Sequence, residues 1–181
     1  MFRTLILSSL AFVGVATAAD PLTSDEVDRF LNVAEVISEI DEENDGLNFD
    51  LDIDDDNMME AMDLLVDEDG DIVLFDVITE ELLDDEEAGP EFRVALRENG
   101  FRDSDDFADV GNRLVAAMIR AEISDSDLDD LRTAIRMADI LPGEVREVLS
   151  RLEVLMENLE DIPDSDIELA REAEDRLDRM G

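Results

Sequence analysis

Asp41, Glu43, Asp45 and Asp52 fall at the first, third, fifth and twelfth places of a twelve-residue stretch, with Gly46 at the sixth. From those places a calcium-binding EF-hand loop presents its hard oxygen ligands, and the glycine sits where that loop turns sharply. The match departs from the pattern at three points. Asn48 stands where an aliphatic residue is normal, Asp52 is shorter than the usual glutamate, and position three is Glu43. Acids make up nine of the sixteen residues from 41 to 56, so a match of this kind arises readily by chance. Beside a specific Ca²⁺ site stands the simpler reading, a solvated loop that attracts cations weakly. The second acidic segment, Asp67-Glu68-Asp69-Gly70-Asp71, has Leu65 where the first ligand should be and reads as a turn.

Most other chemistry is excluded by what is missing. The chain has no His, Cys, Lys, Tyr or Trp. That removes Ser-His-Asp and Cys-His catalysis, Schiff-base chemistry, imidazole and thiolate zinc sites, and haem held by His or Cys. No phosphate loop, dinucleotide fingerprint or nucleophile elbow is present. A pair of carboxylates, as in glycoside hydrolysis, is the remaining catalytic option. Few aromatics are available to stack a sugar, so a carboxylate hydrolase is the third reading. Met58, Met59 and Met62 invite comparison with a thioether copper site, but three Met on one helical turn without His read as core filler.

Charge sets the partners. Fifty-three acidic residues face fourteen arginines, for a net charge of −39. Such a surface repels phosphate backbones and anionic lipid, which argues against nucleic acid, and favours cations or basic partners. Disorder would call for few apolar residues, whereas 45% of this chain is hydrophobic. The expectation is a folded domain with an acidic coat suited to a saline medium.

The first nineteen residues read as a secretory signal peptide: Arg3, an apolar run from Leu5 to Val15, then Ala16-Thr17-Ala18 as the cleavage pattern. The domain then covers residues 20–181, and the absence of Cys excludes both disulfides and a lipid-modified cysteine. A periplasmic or secreted location follows as an expectation, with no membrane insertion after cleavage.

The elements that must position any site read as helices. Thr23 or Ser24 caps a helix through Ile40. Glu91 to Glu98 is a second, ended by Asn99-Gly100. Ser104 caps a helix with Phe107, Val110, Leu114 and Met118 on one face, and Ser124 or Ser126 caps the next. The longest apolar stripe, 145–162, fits burial in a bundle or the seam of a homodimer. Pro163 separates it from a last helix carrying Ile167, Ala170, Ala173 and Leu177. Residues 84–90 read as a linker, and the alternation from Leu47 to Asp54 suggests a short strand within the 41–56 loop. Met58 to Val66 reads as a short helix, and Ile72 to Leu83 as a helix in preference to a strand. Acid-to-arginine pairs four apart, Asp109/Arg113, Glu147/Arg151, Glu172/Arg176 and Asp175/Arg179, have the helix-favouring orientation.

The run from Asn99-Gly100-Phe101 through Phe107, Val110-Gly111 and Arg113 to Ala116-Ala117 resembles a stretch of uncharacterised exported all-helical proteins of Gram-negative bacteria. The opening Leu22-Thr23-Ser24-Asp25-Glu26 and the Leu141-Pro142 helix start are similar too. Phe107 stands where that pattern carries Trp. The resemblance implies fold and location and brings no catalytic residues.

These readings combine into an all-α, single-domain bundle of about six to eight short helices with an irregular acidic loop at 41–56. Its expected role is non-enzymatic, binding a partner or ligand in the cell envelope. The alternative is a Ca²⁺- or cation-binding protein using Asp41, Glu43, Asp45 and Asp52.

Overall fold

A computed structural model describes residues 21–43, 65–67, 69–136 and 143–177. Among them lie seven helices: α1 (Ser24–Glu43), α2 (Leu74–Asp84), α3 (Ala88–Glu98), α4 (Ser104–Glu122), α5 (Asp125–Arg136), α6 (Gly143–Glu160) and α7 (Asp164–Leu177). The chain is all-α, as its periodicity implies. Among the described residues the only β pairing is an isolated antiparallel bridge between Val66 and Ile72. The alternating stretch 47–54, Met58 to Leu64 and Pro142 lie outside the described residues.

Helix starts follow local chemistry. Thr23 Oγ1 accepts the Glu26 N–H at 3.3 Å while the Glu26 carboxylate accepts the Thr23 N–H at 2.8 Å, a reciprocal capping box. Ser124 and Asp127 repeat it at the start of α5. At α4 the cap is Asp103 rather than Ser104: Asp103 is extended, and its carboxylate accepts the Asp106 N–H at 2.9 Å. Ser104 is already helical, so its side chain cannot fold back over the free N–H groups.

The 84–90 stretch holds less open chain than a linker. The Asp85 carboxylate accepts the N–H groups of Glu87 and Ala88 at 2.8 and 2.7 Å, which starts α3 at Ala88. Pro90 fits there because the first turn needs no N–H from it. The far end of α3 is a Schellman closure: the Phe101 N–H reaches the Leu96 carbonyl and the Gly100 N–H the Arg97 carbonyl. Gly100 takes φ +79, which a side chain would resist.

The start of α2 has no cap of its own. Asn112 of α4 supplies one from across the core, its Oδ1 accepting the Phe75 N–H at 2.8 Å and its Nδ2 donating to Asp76 at 2.7 Å.

Helix α4 is the axis of the fold, packing against α1, α2, α3, α6 and α7. Its buried stripe is Phe107, Val110, Leu114 and Ala117. Phe107 lies parallel to Phe30, centroids 4.9 Å apart, and meets Phe75, Phe92 and Phe101 edge-on. Edge-on and offset arrangements suit the ring quadrupoles. Small residues Ala170 and Ala173 let α7 approach α4 closely. Buried residues outside this cluster, Val66, Ile72, Leu128, Met156 and Leu159, join the 65–72 turn to α5 and α6. The described half of the 145–162 stripe therefore buries Met156 and Leu159 within the chain.

Ion pairs serve this assembly in part. Asp109 and Arg113 meet at 3.4 Å as the spacing implies. Arg176 pairs with Asp28 of α1 instead of Glu172, so a contact expected within one helix becomes a clasp between two. Of the other two pairs, Glu147 and Arg179 fall outside the residues whose side chains are described. The helix α1 also runs three residues past Ile40.

Candidate functional site

A recess of about 380 Å³ opens where the C-terminal end of α3 meets the start of α4. Leu83, Leu96 and Phe101 make it apolar, and Arg93, Arg97 and Arg102 line it with Asp103 and Ser104. The Schellman closure builds the floor, because it turns the chain at Gly100 and buries Phe101 beneath Phe107. Arg29 fixes this corner from α1. Its Nη1 donates to the Gly100 carbonyl at 3.2 Å, and its guanidinium lies 5.1 Å from the centre of the Phe101 ring.

Each arginine of the recess is held differently. Arg93 donates from Nη2 to the Leu83 carbonyl at 2.9 Å, so its charge meets a backbone oxygen rather than a carboxylate. Arg102 pairs with Asp106 at 2.5 Å, with 80% of its side chain exposed. The hydrogen bond from Arg102 holds the Asp106 carboxyl below its ordinary range, against a smaller opposing effect of burial. Arg97 is exposed and has no carboxylate partner among the described residues.

That arrangement runs against the composition. Nearly four acids exist for every arginine, yet Arg93 and Arg97 sit four apart on one helix, a like-charge pairing that costs an isolated helix about 0.2–0.5 kcal/mol. A second cleft of about 520 Å³ lies between the α4–α5 corner and the start of α7. There Arg120 is already taken up by Asp125 and the Ile123 carbonyl, and acids outnumber arginines. The α3–α4 recess is the stronger candidate.

Of the metal ligands proposed from sequence, Asp41 and Glu43 fall in the last turn of α1, with side chains outside the described set. Asp45 and Asp52 lie outside the described residues altogether. Among the described residues no group of three or more His, Cys, Asp or Glu is arranged to hold a metal ion. The turn at 67–71 is organised by its own backbone: Asp67 Oδ1 accepts the N–H groups of Asp69 and Asp71, both at 2.9 Å. It docks on α6 through Asn158, whose Nδ2 donates to the Asp69 carbonyl and to Asp71 Oδ1. Partial burial, then the nearby charges of Asp67 and Asp69, push the Asp71 carboxyl upward.

Sequence reading passed over the recess. The signal was there in Arg93, Arg97 and Arg102, three cations within ten residues of an acidic chain. No protein-family model, curated protein or solved structure matches this chain. No described helix is long and apolar enough to cross a membrane.

Proposed function

We propose that the chain is a non-catalytic binding protein that captures an anionic ligand in the arginine-lined recess between α3 and α4. The observation that carries this reading is the gathering of Arg93, Arg97 and Arg102 around one recess of so acidic a chain, with Arg97 lacking a carboxylate partner among the described residues. Surface arginines in such a chain lower their energy by pairing with acids. Among the described residues Arg97 does not do so, and its donors stay open to a ligand. The apolar floor adds contact area beside the charge, as in small-ligand sites generally.

A catalytic reading has less to work with. Among the described residues the Ser104 hydroxyl meets only the neighbouring Asp105 carboxylate, in a long 3.3 Å hydrogen bond on the exposed surface, and Asp103 is occupied as a helix cap. The signal-like leader supports a function in the envelope or outside the cell, where the acidic coat would meet a salt-containing medium. Thermal unfolding against a panel of anions at constant ionic strength tests the proposal. A concentration-dependent rise in Tm that is absent in Arg97→Gln supports it. An identical response in wild type and variant overturns it.

A further inference from the structure

We infer that the ligand of the recess is a monocarboxylate with an apolar body, an inference that rests on the anion reading above and narrows it. Local charge sets the limit. Arg93, Arg97 and Arg102 stand against the carboxylates of Asp103 and Asp106, the second of them already paired with Arg102. The lining residues together with the Asp106 partner of Arg102 leave a single net positive charge, with Arg29 held at the Gly100 carbonyl outside the lining. One negative charge on the ligand is therefore matched, and a second meets Asp103 and the field of a chain carrying −39. Polyphosphates and tricarboxylates are disfavoured on that ground.

The geometry of the charge fits a planar acid. A guanidinium presents parallel N–H groups that suit the two oxygens of a carboxylate, and Arg97 has its fork uncommitted among the described residues. The floor fits the remainder of the molecule. Leu83, Leu96 and the Phe101 ring offer an apolar surface in a volume of about 380 Å³, near the lower end of small-molecule sites at roughly 300–1,000 Å³. Phe101 is 6% exposed and fixed by Phe107 and Arg29, so the floor is preformed. The same chemistry is offered by a free aryl or alkyl acid and by the C-terminal carboxylate of a peptide ending in an apolar residue.

The test is a titration of the protein with 4-phenylbutyrate, its neutral amide, citrate, inorganic phosphate, and a tripeptide ending in Phe as free acid and as amide. Backbone amide shifts are followed by NMR. The expected result is saturable binding of the monoacids, with shifts centred on Gly100, Phe101 and Ser104. The neutral amide and Arg97→Gln should each bind about tenfold more weakly, the size expected for a lost charge-assisted hydrogen bond. Arg97→Lys should recover part of the loss, since it keeps the charge without the fork. Arg171→Gln, an arginine outside the recess, should leave binding unchanged and so controls for net charge. Tighter binding of the peptide acid than of 4-phenylbutyrate assigns the source to a chain terminus, and the reverse order to a free acid. Stronger binding of citrate or phosphate overturns the monocarboxylate inference and leaves the anion site standing. Equal binding of acid and amide, or shifts elsewhere, overturns both.

Discussion

Gly111 of α4 faces the ring of Phe75 so closely that a Cβ on the glycine would stand 2.5 Å from Phe75 Cγ and 2.8 Å from Phe30 Cε2. The helix has bare backbone at the one level where two aromatic rings press on it. Neither ring is the free end of a flexible chain, so neither can yield cheaply. Gly111→Ala should therefore destabilise the fold by about 1–3 kcal/mol despite the better helix propensity of alanine. Urea unfolding at fixed salt measures it, and a stabilised variant would refute the packing described.

Phe107 is the ring that the other four share. Removing it in Phe107→Ala deletes one stacked and three edge-on contacts at a position with no exposed surface. The expected loss is about 3–5 kcal/mol, again by urea unfolding. A loss below about 1 kcal/mol would mean that the cluster closes without its centre.

Asp71 illustrates charge held at a disadvantage. Because burial and its acidic neighbours raise the folded carboxyl above its unfolded value, the folded state binds the proton more tightly. Ionised Asp71 thus opposes folding at neutral pH, and stability is regained as pH falls through the folded value. Asp71→Asn keeps an acceptor for Asn158 and should raise Tm at pH 7, with the gain shrinking toward pH 3. A Tm difference that does not change with pH would tie the effect to something other than ionisation.

The caps work in the opposite sense. Asp85 and Asp127 are held below their ordinary values, Asp85 by the Ala88 and Glu87 N–H groups and Asp127 by the Ser124 hydroxyl and N–H. Their contributions are complete above the unfolded carboxyl pKa of about 3.9 and disappear as pH falls through the lower folded values. Repulsion among the acids also weakens on acidification, so thermal scans should place maximum stability on the acid side of neutrality, with a decline once the caps begin to protonate. A maximum near pH 8 would contradict the acidic-coat reading.

Salt should act in two ways. Stability should climb as added salt screens the coat, and monocarboxylate affinity should rise severalfold between about 0.02 and 0.2 M, because screening removes the repulsion of the whole chain before it weakens the local arginines. Calorimetric titration with Ca²⁺ is expected to give weak multi-site heats lost in about 0.2 M salt. One-to-one binding lost in Asp41→Ala or Asp52→Ala would establish the 41–52 loop as a specific site instead.

Local signals carried most of the fold. Thr23-x-x-Glu26 and Ser124-x-x-Asp127 are reciprocal caps whose partners lie three residues apart, so their pattern is visible in sequence. Asp103 and Ser104 are adjacent and both suited to capping, and only backbone geometry separates them. Asn112 capping α2 could not be foreseen, since it lies 37 residues from Phe75. The recess was hidden for the same reason. Leu83 and Arg93 belong to different helices and meet only because Asp85 turns the chain between them.

Leu22 and Asp166 are 144 residues apart, and the buried Asp166 carboxylate accepts the Leu22 N–H at 3.1 Å. Opposite ends of the described chain are thereby stitched together beside Ala170. Loop closure over that distance is entropically slow and is completed only when α7 is present. A chain lacking α7 would leave the Leu22 N–H without this acceptor and one face of α4 uncovered.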